Sequence, residues 1–171
     1  ADDFVIFCRS KAEAEAILIE VQQWTEANGL TLHPDKTHIG NCLGKGQGFE
    51  FLGYLFEAGH RYVRKKSLLA FRDKVRQKTK RSRGVSVEQI IGELNPSLIG
   101  WFGYFKHARS TTFKGVDGFV RRRLRAVLRK QIKRPGQGTA WSDKSRWPNA
   151  FFTKLGLFTM HEAWIRVSQS R

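Results

Sequence analysis

Residues 116–133 read Val116-Asp117-Gly118-Phe119-Val120-Arg121-Arg122-Arg123-Leu124-Arg125-Ala126-Val127-Leu128-Arg129-Lys130-Gln131-Ile132-Lys133. Val116, Phe119, Val120, Leu124, Val127, Leu128 and Ile132 recur at spacings of three and four, the period of one helix face. Arg122, Arg125, Arg129 and Lys133 align on the opposite face, so the stretch predicts a rigid amphipathic helix with a basic stripe. Pro135-Gly136-Gln137-Gly138 ends it. Upstream, Leu98, Trp101, Phe102, Phe105 and Ala108 predict another helix, which Asn95-Pro96 separates from a shorter one capped by Ser86 and running to about Leu94. Before the linker Arg81-Ser82-Arg83-Gly84, Ser67 is the expected N-cap of a helix whose inner stripe is Leu68, Phe71, Val75 and Thr79. From residue 67 onward the chain thus reads as an all-α bundle. Residues 147–171 are aromatic enough to pack back on it.

The preceding residues follow a different period. Phe4 to Cys8 is a continuous apolar run rich in aromatic and β-branched residues, which predicts a short buried strand. Ser10 and Glu13 form a capping box, Ile17, Val21 and Trp24 keep helical spacing, and Gly29 is a natural terminator, predicting a helix over about 11–28. Leu30 and Leu32 alternate with polar neighbours as a brief strand, and Pro34-Asp35 turns the chain. Phe49 to Phe56 predicts a strand, Ala58-Gly59-His60 a turn and Arg61 to Arg64 the hairpin partner. The expected domains are therefore an α+β module over 1–66, a helical bundle over 67–146 and a packed C-terminal segment over 147–171.

Charge follows the same division. The chain of 171 residues has a net charge of +16. Residues 1–60 carry four basic against nine acidic residues, so the whole excess lies downstream. Residues 61–83 hold eleven basic residues and one acid, and residues 104–134 again eleven and one. Concentrated like charge on amphipathic helices destabilises a compact fold unless a polyanion offsets it, which points to nucleic acid as the partner. Lys65, Lys66, Arg72, Lys74, Lys78, Arg81, Arg122, Arg125, Arg129 and Lys133 are the candidate nucleic-acid-binding residues. A membrane surface is the poorer match, because the Trp, Phe and Gly residues fall in organised helix and turn patterns. No signal peptide or membrane span is expected, and a cytoplasmic place beside nucleic acid follows.

Other motifs are weaker. Cys8 and Cys42 have neither CxxC spacing nor a His cluster, which argues against structural zinc and a disulfide framework. Gly44-Lys45-Gly46-Gln47-Gly48 lacks the ending of a phosphate-binding loop and reads as a hairpin loop. His33 and His38 have no third ligand nearby. Trp101 and Trp164 are assigned to packing. Asp2 and Asp3, adjacent acids before an apolar run, suit a hard divalent cation, although an acidic pair by itself is more often a solvated segment.

The order of segments resolves that choice. Ala1-Asp2-Asp3-Phe4, a helix, Gly29-Leu30-Thr31-Leu32 with Lys36-Thr37-His38-Ile39, and Phe51-Leu52-Gly53-Tyr54 together resemble the later palm motifs of group II intron reverse transcriptases. Leu94-Asn95-Pro96, Gly100-Trp101-Phe102-Gly103-Tyr104-Phe105, Phe119 to Arg125 and Trp147-Pro148-Asn149-Ala150-Phe151-Phe152 resemble that family's thumb, or maturase, domain. The resemblance implies a half-palm followed by a helical thumb. It implies that Asp2 and Asp3, with an aspartate from an earlier palm strand, hold two Mg²⁺ ions for attack of a primer 3′-hydroxyl on a deoxynucleoside triphosphate. It implies that Lys36 steadies the departing pyrophosphate and that Phe51, Leu52, Gly53 and Tyr54 form the primer grip. Implied partners are group II intron RNA, an RNA–DNA primer-template and target DNA, in a bacterial cytoplasm. The fingers, the earlier aspartate and an HNH endonuclease segment are absent from the sequence. The ending is similar to the compact bacterial subclass, and this fragment alone is expected to be inactive as a polymerase. The alternative is an RNA-binding maturase module that assists splicing without polymerising.

Overall fold

The computed structural model describes residues 4–169. Its architecture is a small sheet with one long helix, followed by a helical domain. Asp2 and Asp3 lie outside the described residues. Two compact units are present, one made by residues up to 52 together with 56–59, the other by 53–55 and the chain from 60 onward.

In the first unit, helix α1 spans Lys11–Ala27, and the Ser10 side chain accepts a hydrogen bond from the Glu13 N–H. The Glu13 carboxylate accepts in turn from the Arg9 N–H at 2.6 Å, so two amides at the helix start are satisfied. The other end closes as a Schellman motif. Gly29 takes φ 70°, its N–H reaches the Glu26 carbonyl at 3.1 Å, and the Leu30 N–H reaches that of Thr25 at 2.8 Å. The strands expected at Phe4 to Cys8 and at Leu30 to Leu32 do not form. A strand exists only against a partner that takes up its backbone groups, and no described segment pairs with either run. Phe7, expected to be buried, is 72% exposed.

The stretch read as one strand over 49–56 is two. β1 (Phe49–Phe51) and β2 (Tyr54–Glu57) are joined by Leu52 and Gly53, both at positive φ, and β3 (His60–Val63) follows through Ala58 and Gly59, again both positive. Two consecutive left-handed residues make the primed turn whose twist suits a two-residue hairpin. The antiparallel order is β1-β2-β3.

Among the described residues the buried hydrophobic core lies within the second unit. α2 (Lys65–Lys78) begins two residues before the expected Ser67 cap, with Arg64 in the cap position, and buries Phe71 and Val75. α3 (Val87–Phe105) runs unbroken through Asn95-Pro96, where the sequence predicted two helices. Proline inside a helix costs about 3 kcal/mol. Leu94 and Leu98, both fully buried on either side of it, contribute roughly 1.5–3 kcal/mol each, so burial outweighs the break. Asn95 forms no turn because its side chain is committed elsewhere. It donates to the Gly156 carbonyl at 2.8 Å and accepts from the Phe158 N–H at 2.9 Å.

α4 (Ser110–Gln131) buries Val116, Phe119, Val120, Leu124 and Val127 of the face expected from its period, and Phe113 besides; Leu128 is half-buried, and Ile132, at the C-cap, is exposed. Short helices α5 (Trp141–Arg146) and α6 (Asn149–Lys154) lead to α7 (Met160–Gln169). Trp147, Phe152, Leu157 and Met160 join the same core. Trp101 stacks on Phe71 at 4.5 Å, and the Trp164 indole N–H donates to the Ala108 carbonyl at 3.0 Å, so both tryptophans are packing residues. No described helix is long and apolar enough to cross a membrane.

Candidate nucleic-acid interface

The basic residues of the second unit divide into those that hold the fold and those that face outward. Arg125 belongs to the first group. It is only 6% exposed, donates from Nε to the Trp147 carbonyl and from Nη2 to Asn149 Oδ1, both at 2.9 Å, and lies over the Phe152 ring at 5.3 Å. Burial, then the neighbouring Arg121 charge, pulls its pKa down, with Asp143 opposing. Arg129 pairs with Asp143 at 2.6 Å and donates to the Pro135 carbonyl, leaving its side chain 17% exposed. The basic stripe read along α4 is therefore not one solvated face. Segment 135–149 folds over two of its arginines, for a physical reason outside helical periodicity: carbonyls and a carboxylate there need donors.

The basic residues of α2 and of the linker after it show the same sorting. Lys78 donates to the Glu93 carbonyl at 3.0 Å, and Arg81 to that of Gly136 at 2.9 Å. Arg83, in the linker, pairs with Glu93 at 2.7 Å, and that hydrogen bond holds the Glu93 carboxyl below its usual range. Arg123 donates to the Thr79 hydroxyl and carbonyl at 3.0 and 2.9 Å. By contrast Lys65, Lys66, Lys74 and Lys133 are exposed.

Three arginines converge. Arg72 and Arg76, one turn apart on α2, and Arg122 on α4 place their guanidinium carbons 5.7, 5.4 and 5.4 Å from the centre of the Phe119 ring. Ring faces attract cations, which lets one aromatic hold several like charges at close quarters. Arg76 is also paired with Asp73, while Arg72 Nε is buried and has no hydrogen-bond partner among the described residues. The concavity beside them measures about 340 Å³, and Gly115 and Gly118 complete its lining. A larger one, about 620 Å³, continues past Gly118 and Arg122 to Arg121 and Lys144. Among the described residues no carboxylate lines either. Arg76, Arg121 and Lys144 were not among the residues expected from sequence, although Arg76 stands four residues from Arg72 and shares its face.

The remaining expected site residues fall elsewhere. Lys36 is exposed in the turn that its N–H closes on the His33 carbonyl at 3.1 Å. Phe51 and Leu52 belong to the first unit, with Leu52 63% exposed at the hairpin tip. Gly53 and Tyr54 belong to the second. There the Tyr54 hydroxyl donates to the Tyr104 carbonyl at 2.6 Å, its ring packs on Phe105 at 5.1 Å, and burial raises its pKa. A Cβ on Gly53 would stand 3.3 Å from the Phe105 ring, so the glycine is required both by its φ of 79° and by the close approach.

Two family models match the chain. Residues 68–147 match that of the group II intron, maturase-specific domain, and residues 1–56 that of the reverse transcriptase (RNA-dependent DNA polymerase). No curated protein matches it.

Proposed function

Because the chain belongs to the group II intron reverse transcriptase/maturase family, we propose that its second unit grips intron RNA and RNA–DNA primer-template by their phosphate backbones. Its first unit serves an RNA-directed DNA polymerase through Asp2 and Asp3. The observation that carries the gripping role is the arginine cluster over Phe119, set in a concavity that no acid lines. Guanidinium groups match phosphate oxygens in a planar fork and are less strongly hydrated than ammonium, so they suit close backbone contact. Lys65, Lys66, Lys74 and Lys133, exposed, add long-range attraction.

For the polymerase half, the adjacent carboxylates of Asp2 and Asp3 are hard oxygen donors of the type Mg²⁺ takes, and they would hold it together with a further acid. Asp2 and Asp3 would hold Mg²⁺, which would supply neutralisation of the charge on a deoxynucleoside triphosphate during transfer to a primer 3′-oxygen with release of pyrophosphate. Lys36, exposed at its turn, supplies a cation for the leaving group. Gly53, at φ 79° with the Phe105 ring packed against it, fixes the turn of the hairpin tip to which a primer terminus would be led. The setting is the bacterial cytoplasm, with target DNA as the final acceptor.

Titration of the chain with structured intron RNA tests the gripping role. If about six phosphates are neutralised, log K should fall against log salt with a slope of about −4 to −5. Absence of binding, or binding indifferent to salt, rejects it. In the whole protein, Asp2→Ala combined with Asp3→Ala should abolish RNA-templated DNA synthesis and leave RNA affinity unchanged. A second reading, a maturase module that assists splicing without polymerising, is favoured by the core residing wholly within the second unit. Splicing assistance that survives the double substitution, in a protein with no DNA synthesis to lose, selects it.

A further inference from the structure

We propose that Gly115 and Gly118 form the floor of a continuous groove on α4 in which a nucleic-acid sugar-phosphate backbone lies directly against the helix. Arg72 and Arg122 hold phosphates on one side of Gly118 and Arg121 on the other. The proposal deepens the gripping role above and rests on it.

Glycine inside a helix is destabilising relative to alanine, because it loses more backbone freedom on folding. α4 carries two of them within one turn, both exposed. Nothing in the fold requires them: neither has a positive φ, and a Cβ added to either meets no atom within 4 Å. Space is thus kept open on the outer side of the helix. That space is where the two concavities lie, since Gly115 lines the smaller and Gly118 lines both. Arg122 stands one turn beyond Gly118, is shared by both concavities, and reaches over Phe119 toward Arg72.

The chemistry selects the ligand. Cations on both sides of a bare helical floor, with no acid in the lining, recognise an extended anion and not a single one. Arg72 lines the smaller concavity beside Arg122, so its guanidinium fork is available to a phosphate that enters there. Bare backbone at the floor admits the bulk of sugar and phosphate, and the contact carries no base specificity. Gly100, exposed in α3 with the same open space around its Cβ and outside both concavities, is the internal control.

The test uses the full chain and a fluorescently labelled 20-base-pair RNA duplex, with affinity read by anisotropy at fixed salt and stability by thermal melting. Gly118→Ala should raise the melting temperature by about 2–4 °C and lower affinity about tenfold. Gly100→Ala should give the same thermal gain with unchanged affinity. Arg72→Gln should weaken binding and reduce the salt slope by about 0.9, one phosphate contact. Wild-type affinity in Gly118→Ala overturns the groove while leaving the gripping role intact, whereas a wild-type chain that binds no RNA overturns both. Displacement of the duplex by inorganic phosphate, at equal ionic strength of chloride that does not displace it, would make this a small-anion site and also overturn the proposal.

Discussion

Arg125→Met separates an arginine that holds the fold from those that meet ligand. The substitution keeps an unbranched chain over Phe152 but removes two hydrogen bonds of 2.9 Å, to the Trp147 carbonyl and to Asn149. Bonds from a charged donor are worth about 1.5–3 kcal/mol each, and the buried carbonyl left behind adds its own desolvation cost. Part of this is offset because methionine does not need the hydration that the guanidinium gives up, the effect that lowers the Arg125 pKa. A net loss of about 3 kcal/mol remains, or roughly 6–12 °C in melting temperature for a domain of this size. Circular dichroism at the helix band measures it. RNA affinity, taken well below the transition, should fall less than in Arg122→Met, because Arg125 borders the larger concavity but commits its donors to Trp147 and Asn149. The matched variant Arg122→Met should leave stability within about 0.5 kcal/mol and reduce the salt slope of RNA binding by roughly 0.7–0.9. An Arg125→Met chain that melts with the wild type and loses RNA affinity as Arg122→Met does would refute the division of the arginines.

Asn95→Ala removes both links to residues 156–158 and should cost about 1–3 kcal/mol in urea unfolding, since the half-buried Phe158 N–H loses its acceptor. Asp117 accepts the first amides of α7, from Met160 at 3.1 Å and His161 at 3.0 Å, yet burial outweighs these bonds and lifts its pKa. The folded state therefore binds this proton more tightly than the unfolded state, so the contribution is complete at low pH and is lost as pH rises through the folded value. Asp117→Asn, which does not titrate, should flatten that limb of a stability profile taken from about pH 3 to pH 7. Ala58 sits at φ 50° in the β2–β3 turn before Gly59. Ala58→Asn should stabilise by about 0.5–1 kcal/mol, measured by thermal melting, because asparagine tolerates the left-handed region better than alanine.

Local signals were legible where the responsible atoms are close in sequence. The Ser10 cap and the Gly29 terminator each need partners within five residues, and both formed as expected. The inner face of α4 was equally readable, because a helix of 22 residues repeats its pattern over six turns. Reading failed where a distant partner decides. Phe4 to Cys8 has strand composition without a described strand to pair with, and Asn95-Pro96 has turn chemistry that α3 overrides by burying Leu94 and Leu98. Phe49 to Phe56 divided in two because Leu52 entered the left-handed region, a conformation that leucine composition does not announce.

By itself the sequence carried the ordered motifs that resemble the family, and it determined the helical character of the second unit and the gathering of positive charge there, which follow from helical period and composition. Only tertiary structure decided which arginines remain free. Period places Arg122, Arg125 and Arg129 on one non-core arc, yet the Trp147 carbonyl, Asn149 and Asp143 fold over two of them and leave Arg122 to meet Arg72 and Arg76 above Phe119. Helical period says which side of a helix turns from the core. It carries no information about what the chain, many residues later, lays across that side.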